Sequence, residues 1–210
     1  MHREILHPNQ IDLLPLISSF KREYYLAGGT AIALHLGHRR SIDFDLFKYS
    51  AINHSKNLGK IKDFRFAYHI KRRVTEQMNI DIHDVKVTFF QYPFDIQTET
   101  MFEKAIKLPS LLDLAAMKSY ALGRRAKWKD YVDLYFLITN GFSIEKISQR
   151  ANEIFSDLFS EKQFRAQLTY FEDINYSEEV EFMIPNPPSE KEMKEELIRI
   201  ATDIFGNETS

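Results

Sequence analysis

The spacing of apolar positions divides the chain into a mixed first half and a helical second half. Ile11, Leu14, Leu16, Ile17 and Phe20 follow helical spacing over residues 8–20, with Asn9 as a candidate cap. Residues 24–27 read as a short strand, Gly28-Gly29 as a turn, and residues 30–36 as a short apolar helix stopped by Gly37. Ile42, Phe44 and Leu46 then alternate with Asp43 and Asp45, which predicts a strand with one apolar and one acidic face. Residues 50–59 read as a polar helix. Alternation returns cleanly over 64–70 (Phe64, Phe66, Tyr68 and Ile70), weakly over 74–82, and again over 85–90 after a His83-Asp84 turn. These three strands predict an antiparallel meander that extends the first sheet and ends at Pro93.

From Ser110 the period is helical. Ser110-x-x-Asp113 opens a helix to about residue 123, and residues 128–139 form a second. Ser143 opens a third through residue 155, and Ser160-x-x-Gln163 a fourth. A loop of acids and prolines covers 178–188, and Ser189-x-x-Glu192 caps a last amphipathic helix to about Phe205. The expected class is α+β: a sheet domain over residues 1–105, then a helical domain over residues 106–210 that forms a bundle.

Composition narrows the chemistry. At 210 residues the chain has room for a proper core, and its lack of cysteine excludes disulfides and thiolate metal sites. A net charge of −2 supplies no global field toward nucleic acid or membrane, so any such contact needs a local patch. No apolar run approaches the ~20 residues that span a bilayer, and no signal segment opens the chain, so a soluble cytoplasmic protein is expected. The 17 phenylalanines and 10 tyrosines sit singly at helix and strand positions, as core residues do. No H-E-x-x-H, P-loop or Gly-x-Ser-x-Gly pattern occurs, and the histidines are scattered.

What remains is concentrated between residues 24 and 47. Asp43 and Asp45, two apart on a strand, point the same way; such a pair repels and loses hydration, so it calls for a cation. Mg²⁺, a hard ion that bridges carboxylates to substrate phosphates, fits that role. Gly28-Gly29 precedes a helix N-terminus, where backbone N–H groups hold phosphate. Thr30 serves either as a cap or as a phosphate contact. In the basic loop His38-Arg39-Arg40-Ser41, the Arg40 guanidinium is the preferred phosphate or structural partner, with Ser41 beside it. Phosphate cradle and carboxylate pair together point to phosphoryl or nucleotidyl transfer.

Gly28-Gly29-Thr30 followed by Asp43-x-Asp45 resembles the first motif of the nucleotidyltransferase superfamily with the DNA polymerase beta-like fold. The longer string from Leu26-Ala27-Gly28-Gly29-Thr30-Ala31 through His38-Arg39-Arg40-Ser41-Ile42-Asp43-Phe44-Asp45-Leu46-Phe47 looks like the AbiEii/AbiGii toxin group. The resemblance implies a mixed sheet with flanking helices. It also implies Mg²⁺-dependent transfer of a nucleoside monophosphate from an NTP to an acceptor hydroxyl, with RNA or tRNA as the family-level acceptor, and a cognate antitoxin partner. Asp43 and Asp45 would be the metal ligands, with Gly28, Gly29, Thr30, Arg40 and Ser41 around the nucleotide.

Lys118 and the run Arg124-Arg125-Ala126-Lys127-Trp128-Lys129-Asp130-Tyr131-Val132-Asp133 resemble the family's later motifs. By that resemblance Lys118 contacts triphosphate and Asp130 positions a basic side chain or activates the acceptor, whereas Asp133 is structural. Lys127 stands where the family tends to have arginine. Lys71-Arg72-Arg73 and Arg124-Arg125-x-Lys127-x-Lys129 are candidate RNA phosphate contacts. The third carboxylate common in such enzymes aligns with Thr88; Asp81 or Asp95 are the acids that could replace it. Thr88 keeps a second reading open, a degenerate fold that binds nucleotide or protein without catalysis.

Overall fold

In the computed structural model the chain divides into two compact units, Met1–Leu114 and Ala115–Ser210, and residues 1–203 are described. The predicted end of the last helix near Phe205 lies outside the described residues.

The first unit opens with helix α1 (Pro8–Ser19). Its cap is His7 rather than Asn9: the His7 ring accepts from the Asn9 backbone N–H, and Gln10 accepts from the His7 N–H at 2.9 Å. Pro8 then occupies the first helical position, where its missing N–H costs nothing. Strand β1 (Tyr25–Ala27) runs directly into α2 (Gly28–Leu36), so the glycine pair belongs to the helix itself. Gly37 ends α2 in the left-handed region, with φ 68°.

Strand β2 (Phe44–Lys48) follows, then α3 (His54–Asp63), capped by Asn53, which accepts from the Lys56 N–H at 2.9 Å. Strands β3 (Tyr68–Val74), β4 (Gln77–Ile82) and β5 (Val85–Gln91) form the expected meander. The turn between β4 and β5 holds His83 and Asp84 at φ 51° and 60°, the sign that matches hairpin twist. β3 starts later than its alternation suggested. Phe64 caps the end of α3 and is exposed, and Arg65 turns the chain at φ 60°.

A hairpin of β6 (Thr100–Phe102) and β7 (Ile106–Leu108) was not foreseen. Its strands are three residues long, and its loop carries Glu103 and Lys104 at positive φ without a glycine to announce it. Because β7 pairs with β1, the sheet continues past residue 105. Among the described residues the strands make one seven-stranded sheet in the order β3-β4-β5-β2-β1-β7-β6. β2 pairs parallel with β5 and β1 parallel with β7; the other pairs are antiparallel.

One face of this sheet is apolar and covered. Leu26, Phe44, Leu46, Met78, Ile80, Val87 and Phe89 are buried there, and Phe20, at the end of α1, meets Phe89 edge-on at 4.9 Å. Each such side chain removed from water stabilises the fold by about 1.5–3 kcal/mol. Ile42 does not join them: β2 begins at Phe44, and Ile42 is 53% exposed.

The second unit is helical. Helix α4 (Leu111–Leu122), which runs across the division between the units, starts where the Ser110 hydroxyl accepts from the Asp113 N–H at 3.1 Å. It is followed by α5 (Trp128–Thr139), α6 (Ile144–Phe155), α7 (Glu161–Leu168) and α8 (Glu190–Thr202). Ser143, Ser160 and Ser189 cap the N-termini of the last three, and Ser189 and Glu192 form a reciprocal capping box. α8 packs on α5 and α7. α5 buries Tyr131, Val132, Leu134 and Leu137 together with two aspartates.

Candidate active site

The opposite face of the sheet is polar at its centre, and register explains how. Asp45 on β2 stands opposite Thr88 on β5, Thr88 opposite Asn79 on β4, and Asn79 opposite Arg72 on β3. Residues in register share a face, so this row crosses four strands. A bulge between Ile70 and Arg72 turns Arg72 onto it. Lys86, two residues before Thr88, lies on the same face, opposite Asp81. Its ammonium lies 3.5 Å from Asp43 Oδ2, so the Asp43 carboxylate also faces this side although Asp43 precedes the strand.

Asp45 also meets the glycine turn. Ala27 pairs with Asp45 across β1 and β2, which brings Gly28, the first residue of α2, against its carboxylate. A Cβ on Gly28 would sit 2.3 Å from Asp45 Oδ2, and Gly28 holds φ +69°, so both contact and backbone require glycine. A helix N-terminus carries partial positive charge and N–H groups without helical partners, so it favours an anion here.

Thr30 is buried in α2, and its hydroxyl donates to the Asp43 carbonyl and lies 2.8 Å from Ser41 Oγ. Thr30 and buried Ser41 thus tie the Asp43 segment to the helix. Arg40, half-buried, donates to the Leu6 carbonyl at 3.4 Å, and its own carbonyl accepts from Arg39 at 3.0 Å. Gly28, Gly29, Thr30, Ser41, Asp43 and Asp45 are therefore one local assembly; Gly29 is half-buried as the second residue of α2.

Neither candidate substitute for the third carboxylate joins this pair. Asp81 is 3.0 Å from Lys71 Nζ, and Asp95 is exposed, accepting from Gln97 at 3.2 Å. Among the described residues no three His, Asp or Glu side chains converge as a metal site. The donors present are two carboxylates on one face, hard oxygen ligands that suit one divalent cation sharing its coordination with substrate oxygens.

In the second unit Lys118 and Asp130 meet each other. The Lys118 ammonium is 2.7 Å from Asp130 Oδ1 and 3.0 Å from Asp133 Oδ2, and all three side chains are buried. Arg125, on the turn before α5, donates to Asp130 Oδ2 at 3.0 Å and to Oδ1 at 3.4 Å. Burial alone would raise the Asp130 carboxyl, but the adjacent Lys118 and Arg125 cations hold it below the ordinary range. Burial would likewise lower Lys118, and the two aspartates more than offset it, keeping its ammonium charged.

The remaining cations of this stretch also have partners. Lys127 and Lys129 each lie 2.6 Å from Glu178, and the Arg124 guanidinium stacks 3.5 Å over the Tyr120 ring. Lys86 was missed as a site residue, although its position two before Thr88 on an alternating strand was enough to put it on the acidic face.

A mixed sheet that sets a carboxylate pair beside a glycine-led helix N-terminus defines the chain as a nucleotidyltransferase. Residues 16–210 match the family described as nucleotidyl transferase AbiEii toxin, type IV TA system, and the chain belongs to that family. An uncharacterised protein of Aquifex aeolicus (strain VF5) is 28% identical over 159 residues, covering 72% of this chain and 75% of its own. Among solved structures, the nucleotidyltransferase toxin MenT4 of Mycobacterium tuberculosis H37Rv shares the fold at TM-score 0.57 and 12% identity, over 92–94% coverage of this chain for it and the next. That next structure, JHP933 of Helicobacter pylori, matches at TM-score 0.56 and 17% identity; the matches cover 84% of MenT4 and 89% of JHP933. Among the described residues no helix is long and apolar enough to cross a membrane.

Proposed function

We propose that this nucleotidyltransferase toxin moves a nucleoside monophosphate from an NTP to an acceptor hydroxyl, with Mg²⁺ as its cation. The acceptor oxygen bonds to the α-phosphorus as the bond to the β-phosphate oxygen breaks, pyrophosphate departs, and the hydroxyl proton passes to solvent. The observation that carries this reading is the approach of Gly28 to Asp45, which puts an anion-binding helix terminus beside a cation-binding carboxylate. Asp43 and Asp45 would hold Mg²⁺, which supplies charge neutralisation at the phosphates. The N–H groups of Gly28 and Gly29 at the start of α2 bind a phosphate, and Thr30 and Ser41 keep the Asp43 segment from drifting away from them.

By the family resemblance Lys118 is the proposed triphosphate contact, and Asp130 the carboxylate that positions a basic side chain or activates the acceptor; its contacts with Lys118 and Arg125 support the positioning role. RNA, in particular a tRNA 3′ end, is the proposed acceptor, and the exposed Lys71-Arg72-Arg73 of β3 its proposed contact. A separately encoded antitoxin is the proposed partner.

The test is labelling: protein, Mg²⁺, total RNA and each α-³²P-NTP in turn. Labelled RNA is expected with wild-type protein and none with Asp43→Asn or Asp45→Asn. Labelling that survives both substitutions overturns the metal assignment. Binding of Mg-NTP by calorimetry with no transfer to any RNA would favour a binding module instead, the outcome that Thr88 makes worth testing.

A further inference from the structure

We propose that Lys86 is a charge-supplying, phosphate-contacting residue of this site, and that the site consequently takes a single divalent cation. The inference rests on the nucleotidyl-transfer reading and goes beyond it. Three observations carry it. Thr88, not an acid, is the β5 residue in register with Asp45. Lys86 stands two residues earlier on the same strand and face, with its ammonium 3.5 Å from Asp43 Oδ2. Among the described residues no third acidic or imidazole ligand joins the pair.

Two carboxylates hold two negative charges, enough for one divalent ion; a second ion on the same face needs further anionic ligands. A threonine hydroxyl is a weak ligand for a hard cation and brings no charge. Lys86 places a fixed positive charge on that same face. It therefore repels a second metal and offers the triphosphate the counter-charge a second metal would have provided.

The contact with Asp43 is loose enough to exchange. At 3.5 Å it is at the limit of a hydrogen bond, and both side chains are partly exposed, 43% for Lys86 and 28% for Asp43. Were a divalent cation held by Asp43, the Lys86 ammonium would be free to contact a phosphate oxygen on the same face. Lys86 thus competes with the metal for Asp43 in the free protein and assists the nucleotide once the metal is bound. A residue that merely propped up the sheet would have neither effect.

The experiment is a Mn²⁺ titration followed by electron paramagnetic resonance, with and without the four non-transferable α,β-methylene nucleoside triphosphates. Wild-type protein should bind one Mn²⁺ per chain in either case. Lys86→Ala should bind Mn²⁺ alone more tightly, because a competing cation is gone. The same variant should bind its preferred analogue about 10-fold or more weakly, the loss expected for one charged hydrogen bond. Lys86→Arg, which keeps the charge, should restore analogue affinity. Two Mn²⁺ per chain in the wild-type complex, or analogue affinity unchanged in Lys86→Ala, overturns the inference and leaves the nucleotidyl-transfer reading standing. No Mn²⁺-dependent binding of any analogue by the wild type overturns both.

Discussion

Gly28→Ala tests the junction of glycine turn and carboxylate more sharply than removal of the carboxylate itself. Two costs follow from the geometry. An L-residue at φ +69° pays roughly 1–2 kcal/mol for the left-handed conformation. The new methyl carbon would lie 2.3 Å from Asp45 Oδ2 and 3.1 Å from its Cγ. An ordinary non-bonded contact requires roughly 1 Å more than the shorter of these, so the carboxylate must move by about that much. In a protein of this size 1 kcal/mol corresponds to roughly 2–4 °C in Tm, so the backbone cost alone predicts a loss of about 2–8 °C. A displacement of about 1 Å in a positioned group costs on the order of 10²-fold in rate.

Gly37→Ala is the matched control. It sits at the other end of the same helix with φ +68°, and its Cβ would meet the His2 ring at 2.5 Å. Its backbone cost is the same, but His2 is a half-exposed side chain with room to turn away. Thermal melts and Mn²⁺-dependent nucleotide binding are measured on both variants. Both should melt lower, and Gly28→Ala alone should lose binding. Gly28→Ala that binds like wild type, or Gly37→Ala that loses binding equally, refutes the argument that this glycine is required by Asp45.

Two further predictions concern the second unit. Lys118→Met leaves Asp130 and Asp133 buried without the shared ammonium, and should cost about 3–5 kcal/mol in urea unfolding; Arg125→Ala, whose side chain is 53% exposed, should cost about 1 kcal/mol or less. Lys118→Met as stable as wild type would contradict the ion-cluster account. The other prediction concerns acid stability. Burial would raise the Glu178 carboxyl, but Lys127 and Lys129 bring it from 4.5 down to about 2. A carboxyl depressed in the folded state stabilises above its unfolded value, and that stability fades as pH falls from 4.5 toward 2. Solvent screening limits the effect to about 0.2–1 kcal/mol, so Glu178→Gln should lower stability slightly at pH 7 and flatten the acid limb across that window.

Much of the architecture could be read in the chain because its causes are local. α5 (Trp128–Thr139) has the predicted bounds, and Ser143, Ser160 and Ser189 cap helices as their spacing indicates, since capping needs only a side chain and an N–H three residues on. The His83-Asp84 turn and the alternation of β4 and β5 were legible for the same reason. The β6–β7 hairpin was not. Strands of three residues show too little periodicity, and their existence depends on pairing with β1, some eighty residues earlier (roughly, by sequence separation).

The candidate site divides along the same line. Gly28-Gly29, Asp43 and Asp45 are visible as residues, and two-residue spacing predicts a shared side for the carboxylates. That Asp45 rests against Gly28, that Thr30 holds the Asp43 carbonyl, and that Lys86 reaches Asp43 from another strand are matters of distance between segments. A single chain read in order contains no such distances. The sequence by itself determined which groups are available and which face of its own element each occupies, because backbone geometry sets those periods. Only the tertiary structure decided which groups meet, because strand order and register depend on packing across the whole sheet. Lys86, a residue with no motif of its own, comes within 3.5 Å of Asp43 for that reason.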